Sequence, residues 1–311
     1  MQPLMSPVRA RETGQSVELA ERQPADKPVV LITGVSTGIG RDCAQLLIRH
    51  GYCVIGTLRR QADAEALQAE LGADFLPLLM DVCDIEALPR AVAQTQSWLG
   101  TQRLVALVNN AGVASPNGPL AHQPLAEVRA IFEVNVFGLL ALTQAFLPLL
   151  GARQGATGRG RIINISSGAG AMVTPLAGAY AASKHALEAM SDALRRELCF
   201  YGIAVSAIEP GAIRTPLWDK SQSNLSYATT DYAQPMQKLH AMLRGFNQTA
   251  APVESVSRVV LRALRASRPK ARYPLSRMWF VSRWLPVRWV DRMLTRRLGL
   301  DALSSGQNSR L

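Results

Sequence analysis

Ser167, Tyr180 and Lys184 are the residues of this chain best suited to chemistry. Tyr180 and Lys184 lie thirteen and seventeen residues after Ser167, in the run Tyr-Ala-Ala-Ser-Lys. A phenol and an ammonium four residues apart on a helix share one face. A free tyrosine ionises near pKa ~10, and a fixed cation beside it favours the phenolate and draws that value down. Such a pair can give a proton to a carbonyl oxygen or take one from an alcohol. Alone, Tyr-x-x-x-Lys is a weak signal. Here it follows a Gly-rich turn and an Asn-Asn-Ala-Gly turn, and that order makes it specific.

The Gly-rich turn is Thr33-Gly34-Val35-Ser36-Thr37-Gly38-Ile39-Gly40, between an apolar strand and a helix. Glycines let the backbone turn tightly and approach a pyrophosphate. The helix start beyond offers free N–H groups and a positive dipole end. The spacing Gly-x-x-x-Gly-x-Gly departs from Gly-x-Gly-x-x-Gly. By itself the segment also reads as a turn with packing duties.

Alternating strand and helix signals must position these groups. The pattern predicts strands at 29–32, 53–57, 75–80, 104–108, 161–165 and 203–208, and helices at 39–50, 62–71, 85–99, 124–150 and 179–201. The 124–150 helix reads as one or two pieces. Such βαβα alternation argues an α/β fold, a doubly wound parallel sheet with helices on both faces. The stretch 151–160, rich in Gly and Arg, reads as a surface loop.

The bulk composition excludes several classes. The four cysteines, Cys43, Cys53, Cys83 and Cys199, form no Cys-x-x-Cys and read as reduced, cytosolic-type thiols. The four histidines show no metal-ligand spacing, so no metal is expected. Residues 1–26 hold prolines and mixed charges without an apolar run and read as a flexible tail. The longest apolar run, 131–150, contains Glu133, Asn135 and Pro148 and reads as a buried helix, not a membrane span. The net charge of +11 is local: residues 255–298 hold twelve Lys or Arg against one acid, and the rest of the chain holds 22 of each sign.

Thr-Gly-x-x-x-Gly-Ile-Gly, Asn109-Asn110-Ala111-Gly112 and Tyr180-x-x-x-Lys184, in this order, resemble the short-chain dehydrogenase/reductase family. The likeness runs from about residue 27 to about 219. It implies a Rossmann-type sheet of about seven strands, the last near 271–273, binding NAD(H) or NADP(H). Matched to the family pattern, Thr33, Gly34, Ser36, Thr37, Gly38, Ile39 and Gly40 hold the cofactor's phosphates. Asp81 and its neighbour Val82 meet the adenine; a helix N-cap is the other reading of Asp81. Asn110, Ala111 and Gly112 shape the cleft, while Pro210, Gly211, Ile213 and Thr215 flank the nicotinamide. Ser167 hydrogen-bonds the substrate oxygen, with Ser166 as competitor, and Tyr180 transfers the proton. Lys184 bonds the nicotinamide ribose, and Asn135 holds a water that links the lysine to solvent.

Cofactor choice rests on the end of the second strand. Where relatives that bind NAD carry an acid for the ribose 2′-hydroxyl, this chain has Leu58. Arg59 or Arg60 follows and can pair with a 2′-phosphate. NADP(H) is therefore the expected cofactor, with NAD(H) as the alternative. The resemblance to the hydroxysteroid and retinol dehydrogenase branch implies oxidoreduction of an alcohol and carbonyl, on a lipophilic small molecule. The other reading is a silent cofactor-binding sensor or scaffold. Residues 27–252 read as the catalytic domain, with a substrate loop at 216–252. Residues 253–311 read as a basic, Trp-rich helical extension packed on it. Arginines and tryptophans mixed there suit a helix over the cleft or a peripheral membrane contact. Pro286 argues against one continuous helix there. No nucleic-acid motif accompanies the charge. Family analogy favours a cytoplasmic homodimer or homotetramer through the long helices.

Overall fold

The computed structural model describes residues 27–153, 160–216, 227–276 and 284–301. The expected tail at 1–26, the aromatic residues Trp218, Trp279 and Phe280, and the side chain of Phe246 lie outside the described residues. Seven parallel strands form one sheet in the order β3-β2-β1-β4-β5-β6-β7. They are β1 (Val29–Ile32), β2 (Cys53–Leu58), β3 (Phe75–Leu79), β4 (Leu104–Asn109), β5 (Arg161–Ile165), β6 (Ala204–Glu209) and β7 (Arg272–Pro274). The order reverses between β1 and β4, and an open α/β sheet holds its ligands outside the strand ends at such a point.

Among the described residues the α-helices are α1 (Gly38–Arg49), α2 (Gln61–Leu71), α3 (Leu88–Leu99), α4 (Leu125–Phe132), α5 (Leu139–Phe146), α6 (Gly178–Glu197), α7 (Ala233–Thr249), α8 (Glu254–Arg265) and α9 (Val287–Leu298). Strand alternation divides the core. Val29 and Leu31 pack with Leu99 of α3, Phe146 of α5 and Leu194 of α6. Val30 and Ile32 face the other way, against Leu47 of α1, Leu67 of α2 and Val260 of α8. All four β1 residues are fully buried, which explains why the strand is an unbroken apolar run.

Three differences from the sequence reading have physical causes. The helix expected from residue 85 begins at Leu88, because Asp84 accepts the Ala87 N–H at 3.2 Å and Pro89 fits only a first turn. The run expected at 124–150 is helical, but its middle, Glu133–Gly138, is a π turn, and its end, Leu147–Leu150, tightens into a 3₁₀ turn. It is long and apolar enough to cross a membrane, yet its polar Asn135 is fully buried within the fold. Third, the region expected as an irregular substrate loop contains the 17-residue α7. That helix packs Met236, Leu239 and Leu243 with Leu176, Tyr227 and Leu298. Pro286 stands just before α9 and starts it, as its fixed φ and missing N–H suit a helix entrance.

Candidate active site

The Gly-rich turn is held by its neighbours rather than by its own side chains. Thr33 Oγ1 accepts the N–H groups of Asn110 and Ala111, both at 2.9 Å. Asn110 returns its amide to the carbonyls of Thr33 and Gly34 at 2.9 and 3.0 Å. Gly34 and Gly38 have φ of 70° and 61°, a left-handed conformation that favours glycine. Gly40 leaves no space for a Cβ, which would overlap the Gly34 carbonyl oxygen and the Asn110 amide. Thus Thr33 and Gly40 shape the turn from behind, while Gly34, Ser36, Thr37, Gly38 and Ile39 line a cleft of about 280 Å³. Thr57 escaped the sequence reading. It lines the same cleft, and its hydroxyl accepts the Gly34 N–H at 3.0 Å. The only sequence signal was a hydroxyl at the end of a strand otherwise apolar.

At the other end of the cleft, β5 and the start of α6 converge. Ser167 and Tyr180 both line the cleft, near enough for the serine hydroxyl to draw the phenol's pKa down, and Ser167 Oγ accepts the Ala169 N–H at 3.1 Å. Ser166 is buried, and its hydroxyl has no hydrogen-bond partner among the described residues. Lys184 Nζ donates to the Ile165 carbonyl at 3.0 Å and stands 5.9 Å from the Tyr180 ring centre. All five of these residues, Ile165, Ser166, Ser167, Tyr180 and Lys184, border the cleft.

The electrostatics differ from the expected depression of the phenol. Burial pushes Tyr180 up, and the Ser167 hydroxyl offsets only part of this. Desolvation is the larger of the two effects on the phenol. Burial also pushes Lys184 down to about 8, against the pull of Glu188 one turn further along α6. Glu188 in turn accepts from Arg272 Nε at 3.0 Å, tying β7 to this helix.

Asn135 lies outside the cleft lining, behind it. Its Nδ2 donates to the Val113 carbonyl and to Ser183 Oγ, both at 2.9 Å, and its Oδ1 accepts the Val113 N–H at 2.9 Å. The side chain is therefore engaged in holding the turn after β4 to α6. A Cβ at Gly112 would stand 3.2 Å from Asn135 Oδ1 and 3.6 Å from Lys184 Nζ. Gly112 is what allows that turn to pass so close to both.

Arg59 and Asp81 line the far end of the cleft, with 3.7 Å between guanidinium and carboxylate. Arg60 does not line it. Its guanidinium is turned onto Asp63 at 2.7 and 2.8 Å. Asp81 Oδ1 accepts the Cys83 N–H at 3.0 Å, and Asp84 Oδ1 accepts the Ala87 N–H in the turn before α3. Val82, Ala111, Pro210, Gly211, Ile213 and Thr215 also line the cleft. None of the four cysteines is in a disulfide; Cys43 and Cys53 are buried and their thiols are pushed up, to about 12 and about 11.

The family model described as short chain dehydrogenase matches residues 28–226. The chain belongs to the short-chain dehydrogenase family. As such it is an oxidoreductase acting between alcohols and carbonyls. Among curated relatives, the NADPH-dependent 3-dehydrocapnine reductase of Ornithobacterium rhinotracheale is 40% identical over 273 residues, spanning 86% of this chain and 96% of the relative. Retinol dehydrogenase 5 of Homo sapiens is 33% identical over 296 residues, spanning 89% and 91%. A crystal structure of a short-chain dehydrogenase from Streptomyces avermitilis superposes with a TM-score of 0.69 at 30% identity, covering 91% of this chain and 98% of the other.

Proposed function

We propose that this short-chain dehydrogenase is an NADP(H)-preferring enzyme that reduces a lipophilic carbonyl, with Tyr180 as proton donor. Ser167, Tyr180 and Lys184, brought together on the wall of the Gly-lined cleft, carry this reading. The cleft suits a dinucleotide. One end offers hydroxyls and the start of α1, whose first turn holds no acid, and so favours phosphate. The other end offers Arg59 as a cation and Asp81 as an acceptor.

When bound, the nicotinamide supplies or accepts the hydride. The chain's own residues do the rest. Ser167 and Tyr180 point donors at one oxygen, where negative charge develops as a carbonyl is reduced; such donors act most strongly in the transition state. Burial keeps Tyr180 protonated at neutral pH, which is the state required of an acid. As the phenol loses its proton, the Lys184 charge stabilises the phenolate. The Ile165 carbonyl holds that ammonium in place.

The lipophilic substrate is supported by apolar residues that line the same cleft as Tyr180, among them Val113, Ala114 and Pro216. Relatives named for retinol and for 3-dehydrocapnine point the same way. The test is nicotinamide absorbance with purified protein, both cofactors, and a panel of steroid, retinoid and long-chain ketones and aldehydes. Turnover on a member of the panel is expected. Cofactor binding without turnover on any carbonyl would favour a silent sensor.

NADP(H) preference is assigned to Arg59 alone. Arg59→Ala is expected to lower the NADPH over NADH preference about tenfold or more, the order of a charge-assisted phosphate contact. Arg60→Ala is expected to leave the ratio unchanged, since that guanidinium serves Asp63. Equal effects of the two substitutions on kcat/KM ratios would refute the assignment. For assembly we propose a homodimer or homotetramer. Leu125, Phe137 and Phe200, on or beside the long helices, are 61%, 51% and 83% exposed, and a second copy would cover them.

A further inference from the structure

The C-terminal helix carries a surface that the oxidoreductase reading does not use. On α9, Val290 and Leu294 are half-buried and Leu298 is buried against the α7 cluster. Spaced four apart, they form the inward stripe. The helix is thus already packed, and its remaining apolar side chains are surplus to folding. Trp289 is 68% exposed, Met293 41%, and Trp284, just before the helix, 88%. Trp289, Arg292, Met293 and Arg296 follow the i, i+3, i+4, i+7 pattern of a single helix face. Arg288, Arg292, Arg296 and Arg297 outnumber the helix's one acid, Asp291.

We propose that this face of α9, with Trp284, rests on an anionic lipid surface. Three observations select a bilayer over other occupants. Indole rings with one polar edge prefer the level of lipid headgroups, and arginines interleaved with them reach lipid phosphates while their stems cover apolar surface. The basic segment is confined to this part of an otherwise neutral chain, so attraction would orient the molecule as well as hold it. A nucleic-acid backbone would pair with the arginines but leave Met293 and Val287 wet. The inner side of the same helix touches the α7 cluster, so a docked protein would bring that apolar cover close to the bilayer.

The test uses the full chain, without cofactor or substrate, on vesicles of phosphatidylcholine alone and of phosphatidylcholine mixed with phosphatidylglycerol. Sedimentation with the anionic vesicles and a weaker association with the neutral ones are expected. Arg292→Gln with Arg296→Gln should weaken the anionic binding about thirtyfold, from about 1 kcal/mol per charge. Trp284→Ser, Trp289→Ser and Met293→Ser together should weaken it at least about tenfold, and make what remains more sensitive to salt. These side chains are exposed, so an unchanged melting temperature is expected and checks the fold. The proposal is overturned if no vesicle binds, if both variants bind like the parent, or if a single-stranded oligonucleotide competes the vesicles away. Because no turnover is measured, such a failure leaves the enzymatic reading where it stood.

Discussion

Tyr180→Phe is expected to lower turnover about 10³-fold, within the span of a general acid lost from its site, while cofactor affinity stays within about twofold. The ring remains, so Lys184 keeps its place at the Ile165 carbonyl. What disappears is the phenol's proton. Steady-state rates and a fluorescence titration of NADPH separate the two effects. A variant that stays within tenfold of the parent would remove Tyr180 from the reaction.

The pH profile checks the same assignment with a definite sign. Carbonyl reduction needs the phenol protonated and the lysine charged, and both states are lost as pH rises. Lys184 is held down to about 8 by burial, whereas Tyr180 is pushed up. The reductive rate should therefore be flat below about 8 and fall above it, with lysine as the first group to titrate. A rate that rises through that range would assign the proton to another group.

Gly40→Ala is expected to destabilise the protein by about 3 kcal/mol or more and to abolish nucleotide binding. Its Cβ would meet the Gly34 carbonyl and the Asn110 amide, neither of which is the free end of a flexible chain. Asn110 is fixed by two bonds to residues 33 and 34, so relief requires moving the turn itself. Overpacking of this kind costs ~1–3 kcal/mol in ordinary cores and more where backbone must shift. Gly245→Ala is the control. Nothing lies within 4 Å of a Cβ there, and helix propensity should make it neutral or up to about 1 kcal/mol stabilising. Denaturant midpoints compare the two; similar values would show that the turn tolerates a methyl group.

The sequence allowed the sheet to be read closely, because each strand is a short apolar run between turn residues. It also identified the groups on the cleft, since their types and order are specific. It was least informative where two neighbours compete for one task. Arg59 and Arg60 are equivalent on paper; the choice lies with Asp63, three residues on, which takes Arg60. Asn135 was found, but its bonds to Val113 and Ser183 were not. They depend on how the turn after β4 packs against α6, which helical periodicity does not record. The phenol's upward shift was missed for a similar reason. The helical spacing shows a nearby cation, whereas burial depends on every element packed around it.

The place of β1 in the strand order has a consequence for synthesis. Its partners are β2 on one side and β4 on the other. The hydrogen bond from Asn110 to the Thr33 carbonyl spans 77 residues of chain. Strands β1 to β3 can assemble as soon as they leave the ribosome, but one edge of β1 then stays bare until Leu104–Asn109 emerges. At ~5–20 residues per second that interval lasts several seconds. An open edge of Val29, Val30, Leu31 and Ile32, with no charge or proline to blunt it, is a template for pairing with another nascent chain. Fragments ending before β4 should therefore aggregate, and the yield of soluble protein should depend on how quickly the fourth strand closes that edge.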